Sequence, residues 1–253
     1  MASTIAAQLY TLRAYLKTPE DIARSMKKVR EIGYEAVQLS GLGPIDASEL
    51  KKITDGEGLT VCATHVSFEQ LQNEFEQVIE EHKILDCDYL AVGMMPQEYQ
   101  NAKGYVKFAK DATAVAKKLY AAGIVFGYHN HSFELQKYND KTGLEILYEE
   151  SDPQFVTAEL DTYWLQNGGA DPIAWIRKLA GRVPVIHFKD MTIIDAEQAM
   201  AEVGEGNLNW PGILEACQES GVKWHVVEQD HCQRDPFESL AISLRNLKQM
   251  GLE

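Results

Sequence analysis

The segment VPVIHFKD, residues 183–190, is a short apolar run that ends in polar residues. Such a run predicts a buried β-strand. His187 and Lys189 are two residues apart, so both side chains point to the same face of that strand. The segment therefore predicts a strand whose carboxyl end presents an imidazole and an ammonium group together.

Seven further segments repeat this pattern along the chain. They are almost continuously apolar, as expected for parallel strands that are covered on both faces. Successive segments begin 25 to 40 residues apart, which leaves room for one crossover helix each time. The seven are TIAAQLY (4–10), YEAVQLS (34–40), LTVCATHV (59–66), YLAVG (89–93), IVFGYHNH (124–131), FVTAELD (155–161) and KWHVVEQD (223–230).

The stretches between these segments carry helix start and stop signals. Thr18 is a predicted N-cap, followed by Pro and two acidic residues, and Gly33 is placed to end the same helix. Asp171 and Asp235 each precede a proline and predict two later helix starts, and Gly221 predicts a helix end. Helices are therefore expected between the strands.

Eight strands that alternate with helices predict a closed α/β barrel. Right-handed strand–helix units close most economically as a (β/α)8 TIM barrel, and about 250 residues is a usual size for that fold. The whole chain, residues 1–253, is therefore expected to form one domain. A doubly wound open sheet is the alternative, but its first turn usually carries phosphate-binding glycines. The turn here, LYTLRAYLKTPE at residues 9–20, contains no glycine.

Charge and composition argue against several classes of protein. A net charge of −14 argues against nucleic-acid binding, which needs clustered Lys and Arg. We expect neither a signal peptide nor a membrane span, because charged residues interrupt every later apolar run well before 18 residues. The four cysteines form no CxxC pair and are typical of reduced thiols, so a cytoplasmic location is expected.

Polar residues at the ends of four consecutive strands suggest a metal site, because the carboxyl ends of barrel strands meet at the rim where active sites lie. One such residue alone would be explained better by an ion pair, for instance with Lys189, or by a hydrogen-bonded core position. Four together favour a divalent cation, since one ion satisfies all of them. Their nitrogen and carboxylate donors suit Mn, Fe, Co, Zn or Mg. The four are His129, Asp161, His187 and Glu228.

Three further residues near strand ends are candidates for proton transfer or charge stabilisation. His65 ends the third run and is the first candidate for acid–base chemistry, with a loop-capping role as the alternative. Glu134 is a candidate base, provided that it is not a metal ligand. Lys189 could stabilise an oxyanion or a leaving hydroxyl, or it could pair with Asp161 or Asp190.

Five residues are candidates for contacts with a polar substrate. An amide at a strand end could donate to a hydroxyl, and aromatic rings could stack on C–H groups, with ordinary packing and structural hydrogen bonds as alternatives. An acid in the loop after the seventh strand could reach the same substrate. The five are Gln8, Tyr10, His131, Trp164 and Glu205, of which His131 is also a second candidate for acid–base chemistry.

Six motifs give the chain a resemblance to a known family. They cover nearly the whole sequence and are specific in combination. They read QLYTLR (8–13), IGYEAVQL (32–39), YHNHSFEL (128–135), LDTYW (160–164), HFKD (187–190) and VGEGNLNWPGILEA (203–216). With these motifs the chain resembles the xylose isomerase-like TIM-barrel family, which contains sugar phosphate isomerases, epimerases and endonuclease IV.

The resemblance implies a divalent metal bound by Glu, Asp, His and Glu on the last four strands. Asp161, His187 and Glu228 match the last three positions. At the first position the family pattern LENH reads YHNH, so His129 stands where the family has Glu, and Glu134 is an alternative fourth ligand. Ketose epimerases of the family transfer protons through both metal-binding glutamates. Glu228 is therefore a candidate base, and this sequence lacks its counterpart at the first position.

The resemblance predicts a metal-dependent enzyme that abstracts a proton next to the carbonyl of a sugar, keto-sugar or cyclitol, with isomerisation or epimerisation as the outcome. Members with YHNH are similar to inosose dehydratase-like proteins and 3-keto-glycoside lyases, so loss of a β-leaving group is the alternative. Phosphodiester hydrolysis as in endonuclease IV would need more ligands and a basic groove. A sugar-binding barrel without turnover is the non-enzymatic alternative. Family members often pair, which makes a homodimer compatible with the resemblance.

Overall fold

The computed structural model describes residues 5–252. Eight of the strands in this range form one closed barrel. Thr4, in the first predicted run, and the outermost residues of the predicted domain 1–253 lie outside the described residues. The strands are β1 (Ile5–Gln8), β2 (Ala36–Leu39), β3 (Thr60–His65), β4 (Tyr89–Val92), β5 (Val125–His129), β6 (Lys137–Tyr138), β7 (Lys141–Thr142), β8 (Val156–Asp161), β9 (Val185–Phe188), β10 (Asp190–Ile194), β11 (Glu197–Ala201) and β12 (Trp224–Val227).

The barrel closes in the order β1-β12-β9-β8-β5-β4-β3-β2, and every neighbouring pair is parallel. The other four strands form two separate antiparallel hairpins, β6–β7 and β10–β11. The eight barrel strands coincide with the eight apolar segments, and their residues are almost entirely buried because helices cover the outside. The predicted TIM barrel is confirmed.

The helices begin and end at the residues that the sequence signals indicate. Thr18 and Asp21 form a capping box, and Gly33 ends the first helix with a φ of 113°, which favours glycine. The side chains of Asp171 and Asp235 cap two later helices. The helices are α1 (Pro19–Ile32), α2 (Ala47–Glu57), α3 (Phe68–Asn73), α4 (Phe75–Leu85), α5 (Ala102–Ala121), α6 (Gly143–Glu150), α7 (Thr162–Asn167), α8 (Pro172–Lys178), α9 (Trp210–Ser220) and α10 (Pro236–Gln249).

The strand register places polar side chains at two levels near the carboxyl rim. Asp161 on β8 is the partner of His187 on β9. Two residues deeper along β8, Glu159 is the partner of His129 on β5. Side chains two residues apart point to the same face of a strand. The register therefore brings two carboxylates and two imidazoles to one side of the barrel mouth.

The sequence predicted a loop after β9. This segment contains the β10–β11 hairpin, and the residues that follow the hairpin are held by one carboxylate. Asp190 is fully buried and accepts hydrogen bonds from the backbone N–H groups of Gly204, Gly206 and Leu208 and from the indole of Trp210. A Cβ atom on residue 206 would lie 2.4 Å from Asp190 Oδ1. Glycine is needed there because the backbone approaches the carboxylate so closely.

Two predictions made from composition concern the cysteines and the apolar character of the helices. The four cysteines are unpaired, and Cys62, Cys87 and Cys217 are buried, as predicted for reduced thiols. Between residues 5 and 252, none of the helices has the length and apolar character that crossing a membrane requires.

Candidate active site and metal centre

The four predicted ligands come together at the carboxyl rim of the barrel. Each offers one ligand atom, these atoms lie within 4.8 Å of one another, and all four residues are buried. His187 Nδ1 is 3.0 Å from Glu228 Oε2 and 3.9 Å from Asp161 Oδ2. We call these four residues the outer group; they are His129, Asp161, His187 and Glu228.

A second set of ligand atoms overlaps the first and reaches one level deeper. Glu159 Oε1 lies 2.5 Å from His65 Nε2, 3.1 Å from His187 Nε2 and 3.6 Å from His129 Nδ1. These atoms also lie within 4.8 Å of one another. We call this set the inner group; it consists of His65, His129, Glu159 and His187.

Lys189 places an ammonium group among three carboxylates. Its Nζ lies 2.6 Å from Asp230, 2.8 Å from Glu228 and 3.0 Å from Asp161, and the side chain is fully buried. Burial disfavours the charged lysine, but these carboxylates outweigh burial and raise its pKa. The sequence left open an ion pair between Lys189 and Asp161. This pair is formed, and its carboxylate is also a member of the outer group.

The carboxylates and imidazoles perturb one another strongly. Burial raises the pKa of Asp161 to about 6, although Lys189 counteracts part of this effect. Burial also acts on Glu159 and on His187, but their mutual attraction outweighs it, so the pKa of Glu159 falls to about 2 and that of His187 rises to about 10. Burial, reinforced by the charge of His187, holds the pKa of His129 well below its usual range. His129 is therefore neutral and able to act as a ligand.

The donor set fits a divalent cation. His129 Nδ1 is buried and makes no hydrogen bond with other residues of the described chain. Buried polar atoms normally have partners, so an unsatisfied one indicates an additional group. Three carboxylates, those of Asp161, Glu228 and Asp230, also surround the single ammonium group of Lys189. A dication would supply both the missing contact and the missing positive charge.

A cleft of about 290 Å³ opens beside this cluster. His65, His129, His131 and Glu228 contribute to its lining, together with Tyr10 from the segment after β1. Gly93 also lines the cleft, and because glycine has no side chain it contributes only backbone atoms. The cleft has the size of a small polar ligand and gives that ligand access to the outer group.

Two of the five predicted substrate contacts, Tyr10 and His131, line this cleft, and a third, Trp164, packs against His131. Tyr10 lines it, and the guanidinium of Arg13 stacks on the Tyr10 ring at 4.4 Å. The rings of His131 and Trp164 lie 5.3 Å apart, and the buried His131 Nδ1 and Trp164 Nε1 make no hydrogen bond within the described chain. Gln8 is buried at the end of β1, and its Nε2 likewise has no partner among the described residues. These buried polar atoms therefore have no hydrogen-bond partner among the described residues.

Two predicted site residues are placed elsewhere. Glu134 is fully buried and accepts hydrogen bonds from Tyr128 Oη at 2.6 Å and His131 N at 2.9 Å, so it belongs to neither ligand group. Burial raises the pKa of Glu134 to about 7. Glu205 accepts from Asn246 on α10 at 3.0 Å and does not line the cleft. The structure therefore holds Glu134 within a local network and Glu205 against the outer helix layer.

Sequence reasoning missed three residues of the cluster. Gln38 on β2 donates to Glu159 and contacts His187 Nε2 through its Oε1 at 2.7 Å. Glu159 lies one level deeper than Asp161, and neither Glu159 nor Asp230 was predicted from the sequence. Gln38 and Glu159 could have been found from the sequence, because each is a polar side chain within an apolar strand segment. Such side chains are rarely buried without partners.

A closed parallel barrel with a buried His–carboxylate group at its carboxyl rim defines a class of α/β-barrel proteins with a candidate metal centre. The model of one family, described as xylose isomerase-like TIM barrel, matches residues 26–250. The chain therefore belongs to the xylose isomerase-like TIM-barrel family, as its sequence motifs predicted.

One curated relative is similar over part of the chain. An inosose dehydratase of Lacticaseibacillus casei is 33% identical over 106 residues, which cover 35% of this chain and 36% of the relative. The match thus spans about a third of the relative's length.

Solved structures share the fold over the whole chain. A sugar phosphate isomerase/epimerase from Parabacteroides distasonis superposes with a TM-score of 0.81 at 23% identity, covering 98% of this chain and 94% of the other. An L-ribulose 3-epimerase superposes with a TM-score of 0.75 at 16% identity, covering 100% and 95% of the two chains. At these identities the likeness establishes the fold.

Proposed function

We propose that the protein is a divalent-metal-dependent enzyme of the isomerase/epimerase type. Its substrate is a sugar, keto-sugar or cyclitol, from which it abstracts a proton next to a carbonyl group. The outer group carries this proposal, because its four ligand atoms lie within 4.8 Å of one another beside an open cleft. The resemblance in fold to a sugar phosphate isomerase/epimerase and to an L-ribulose 3-epimerase supports the same reaction class.

The outer group would hold the cation through two imidazoles and two carboxylates. A divalent ion held there would supply Lewis-acid polarisation of a substrate carbonyl, which acidifies the C–H bond on the adjacent carbon. The chain itself contributes Lys189, which keeps Asp161 and Glu228 paired and oriented. Lys189 is fully buried, so its role is to position these ligands and not to contact the sugar directly.

His65 is the residue best placed to take the proton. It lines the cleft and is not a member of the outer group. Its Nε2 is paired with Glu159 at 2.5 Å, and its Nδ1 lies on the side of Gly93, which also lines the cleft. A proton accepted at Nδ1 would create an imidazolium that the adjacent carboxylate stabilises, as in other His–carboxylate pairs. Glu228, which lines the same cleft, is the second candidate for proton transfer in an epimerisation.

The walls of the cleft suit a polyhydroxylated ligand. Tyr10 offers an aromatic ring, and His131, which packs against Trp164, offers a nitrogen atom without a hydrogen-bond partner among the described residues. Sugars use both kinds of contact, because they have apolar C–H faces and polar edges. The described lining of the cleft contains histidines but no lysine or arginine.

A dehydratase or lyase outcome is the second candidate. The match to an inosose dehydratase favours it. A histidine at position 129 also favours it, because epimerisation through two glutamates needs a second one at the place that His129 occupies. Both outcomes begin with the same proton abstraction. In isomerisation or epimerisation the carbanion is then reprotonated, whereas in dehydration it expels a β-leaving group.

Solvent-exchange measurements test the shared first step. The protein with Mn²⁺ is incubated in D₂O with a panel of keto-sugars and inososes, and deuterium at the carbon next to the carbonyl is measured by NMR. We expect exchange with at least one substrate and none with Asp161→Ala, which removes a ligand. Loss of water from an inosose would select the dehydratase outcome. A metal-loaded protein that binds a keto-sugar without exchange would refute the proposal and leave a sugar-binding barrel.

A further inference from the structure

The imidazole of His187 lies between two sets of oxygen atoms. On the Nδ1 side are Glu228 Oε2 at 3.0 Å and Asp161 Oδ2 at 3.9 Å. On the Nε2 side are Gln38 Oε1 at 2.7 Å and Glu159 Oε1 at 3.1 Å. His187 belongs to both the outer and the inner group, so the nitrogen that gives up its proton to an ion decides which group can bind that ion.

The hydrogen bonds of Gln38 determine that choice. Its Nε2 lies 2.9 Å from Glu159 Oε2, and a carboxylate accepts hydrogen bonds but cannot donate them. The amide NH₂ must therefore face Glu159, which leaves the amide oxygen facing His187 Nε2. Two acceptor oxygens then surround Nε2, so this nitrogen carries hydrogen. The acceptors on the Nδ1 side, Glu228 Oε2 and Asp161 Oδ2, are themselves members of the outer group, so the Nδ1 proton is the one that a cation bound by that group would replace.

Burial keeps this arrangement in place. Gln38, Glu159 and His187 are all fully buried, so none of them can turn to exchange its partners for water. Glu159 is also held by His65, which contacts Oε1 while Gln38 contacts Oε2. To become a ligand through Oε1, Glu159 would have to share or give up the oxygen that His65 contacts, and a buried polar group left unpaired is costly.

We propose that Gln38 and Glu159 are positioning residues that keep the proton on Nε2 of His187 and so reserve Nδ1 for a metal ion. The outer group would bind the ion, and the hydrogen bonds of Gln38 and Glu159 would orient His187 within that group. This inference rests on the metal site of the proposed function. Partners of metal-bound histidines commonly act in this way, by fixing the tautomer and the orientation of the ring.

The tautomer of His187 can be measured without any substrate. Protein labelled with ¹⁵N-histidine is saturated with Zn²⁺, and long-range ¹H–¹⁵N NMR distinguishes a protonated from a metal-bound ring nitrogen. The signals of His187 are assigned by their loss in His187→Gln. We expect a protonated Nε2 and a metal-bound Nδ1. A ring bound to Zn²⁺ through Nε2 would overturn the inference and assign the ion to the inner group.

Metal affinity provides the second measurement. Gln38→Met and Glu159→Gln each remove a constraint on His187, so Zn²⁺ affinity by calorimetry is expected to fall roughly 10- to 100-fold. The matched control is Thr64→Val, which also removes a buried hydrogen bond to a histidine, Thr64 Oγ1 to His82 Nε2, in a pair outside both groups. It should leave the affinity unchanged.

The outcomes separate the two proposals. Tight Zn²⁺ binding by the wild type with equal binding by folded Gln38→Met and Glu159→Gln would overturn the positioning role and leave the proposed function standing. No metal uptake by the wild type would overturn the proposed function and this inference with it. If one variant does not fold, the other variant and the wild-type tautomer still decide.

Discussion

The ammonium nitrogen of Lys189 lies 2.8 Å from a carboxylate oxygen of Glu228, a member of the outer group. The same nitrogen contacts Asp161, a second member, at 3.0 Å and Asp230 at 2.6 Å. The protein therefore supplies a cation of its own, the Lys189 ammonium group, which contacts two of the four candidate metal ligands. A lysine and a metal ion stabilise the same carboxylates, so each should matter more when the other is absent.

Removal of the Lys189 charge should destabilise the metal-free protein. Lys189→Met leaves three carboxylates without their buried partner, and breaking a buried ion pair in this way costs about 3–5 kcal/mol. Chemical denaturation in the presence of a chelator should show this loss. Added Mn²⁺ or Zn²⁺ should raise the stability of the variant more than that of the wild type.

Lys107→Met is the control for this experiment. Lys107 pairs with Asp111 on the surface, and such a pair contributes little in solvent. If Lys189→Met is as stable as the wild type without metal, or gains nothing extra from metal, the shared use of these carboxylates is contradicted.

Substitution of the outer group should abolish tight metal uptake. Asp161→Ala and Glu228→Ala each remove a charged ligand, and His129→Ala removes a neutral one. We expect each to weaken metal binding by more than the roughly 10- to 100-fold typical of residues that only orient a ligand. Calorimetry and metal analysis after dialysis provide the measurement.

Glu134→Ala decides between the two fourth ligands that the sequence left open. The Glu134 carboxylate is engaged by Tyr128 and His131 N, outside both ligand groups, so its loss should not affect metal affinity in a folded protein. Weaker binding in Glu134→Ala together with normal binding in His129→Ala would contradict the site as described.

Glu134 should make stability depend on pH. Burial raises its pKa from 4.5 to about 7. Because the pKa of the folded state lies above that of the unfolded state, the stabilisation is fully present below pH 4.5 and is lost as the pH rises through 7. The loss is on the order of 3 kcal/mol at about 1.4 kcal/mol per pKa unit.

Glu134→Gln removes this titration while keeping the size of the side chain. Denaturation curves of both proteins at pH 4.5 and pH 8 isolate the contribution, because all other groups are common to the two. The variant should lose less stability between these pH values than the wild type. An equal loss in both proteins would assign the pH dependence to other groups.

Gly93 should be required for the position of His65. A Cβ atom at residue 93 would lie 2.7 Å from His65 Nδ1, so Gly93→Ala must push the imidazole away. Deuterium exchange into substrate should fall strongly if His65 takes the proton, while metal affinity changes little because His65 is outside the outer group. Gly56→Ala, on the surface of α2, has open space around its Cβ and serves as the control.

Local sequence patterns determined most of the fold. Near-continuous apolar runs require burial on both faces, and caps such as Thr18 and Gly33 define where helices begin and end. These patterns act between residues that are close in the chain, so they can be read without knowledge of the rest. The same reasoning placed His129, Asp161, His187 and Glu228 at one rim, because the ends of parallel barrel strands meet there.

Contacts across the barrel were decided by the tertiary structure alone. Gln38 reaches Glu159 over 121 positions and His187 over 149, and nothing local to β2 indicates either partner. Such contacts depend on the stagger of strands in the closed sheet, which sets the levels at which side chains meet. For the same reason the sequence could place Glu205 in the right loop but could not show that this loop turns toward Asn246 and away from the cleft. Position along a strand follows from periodicity, whereas the partner across the barrel follows from register and closure.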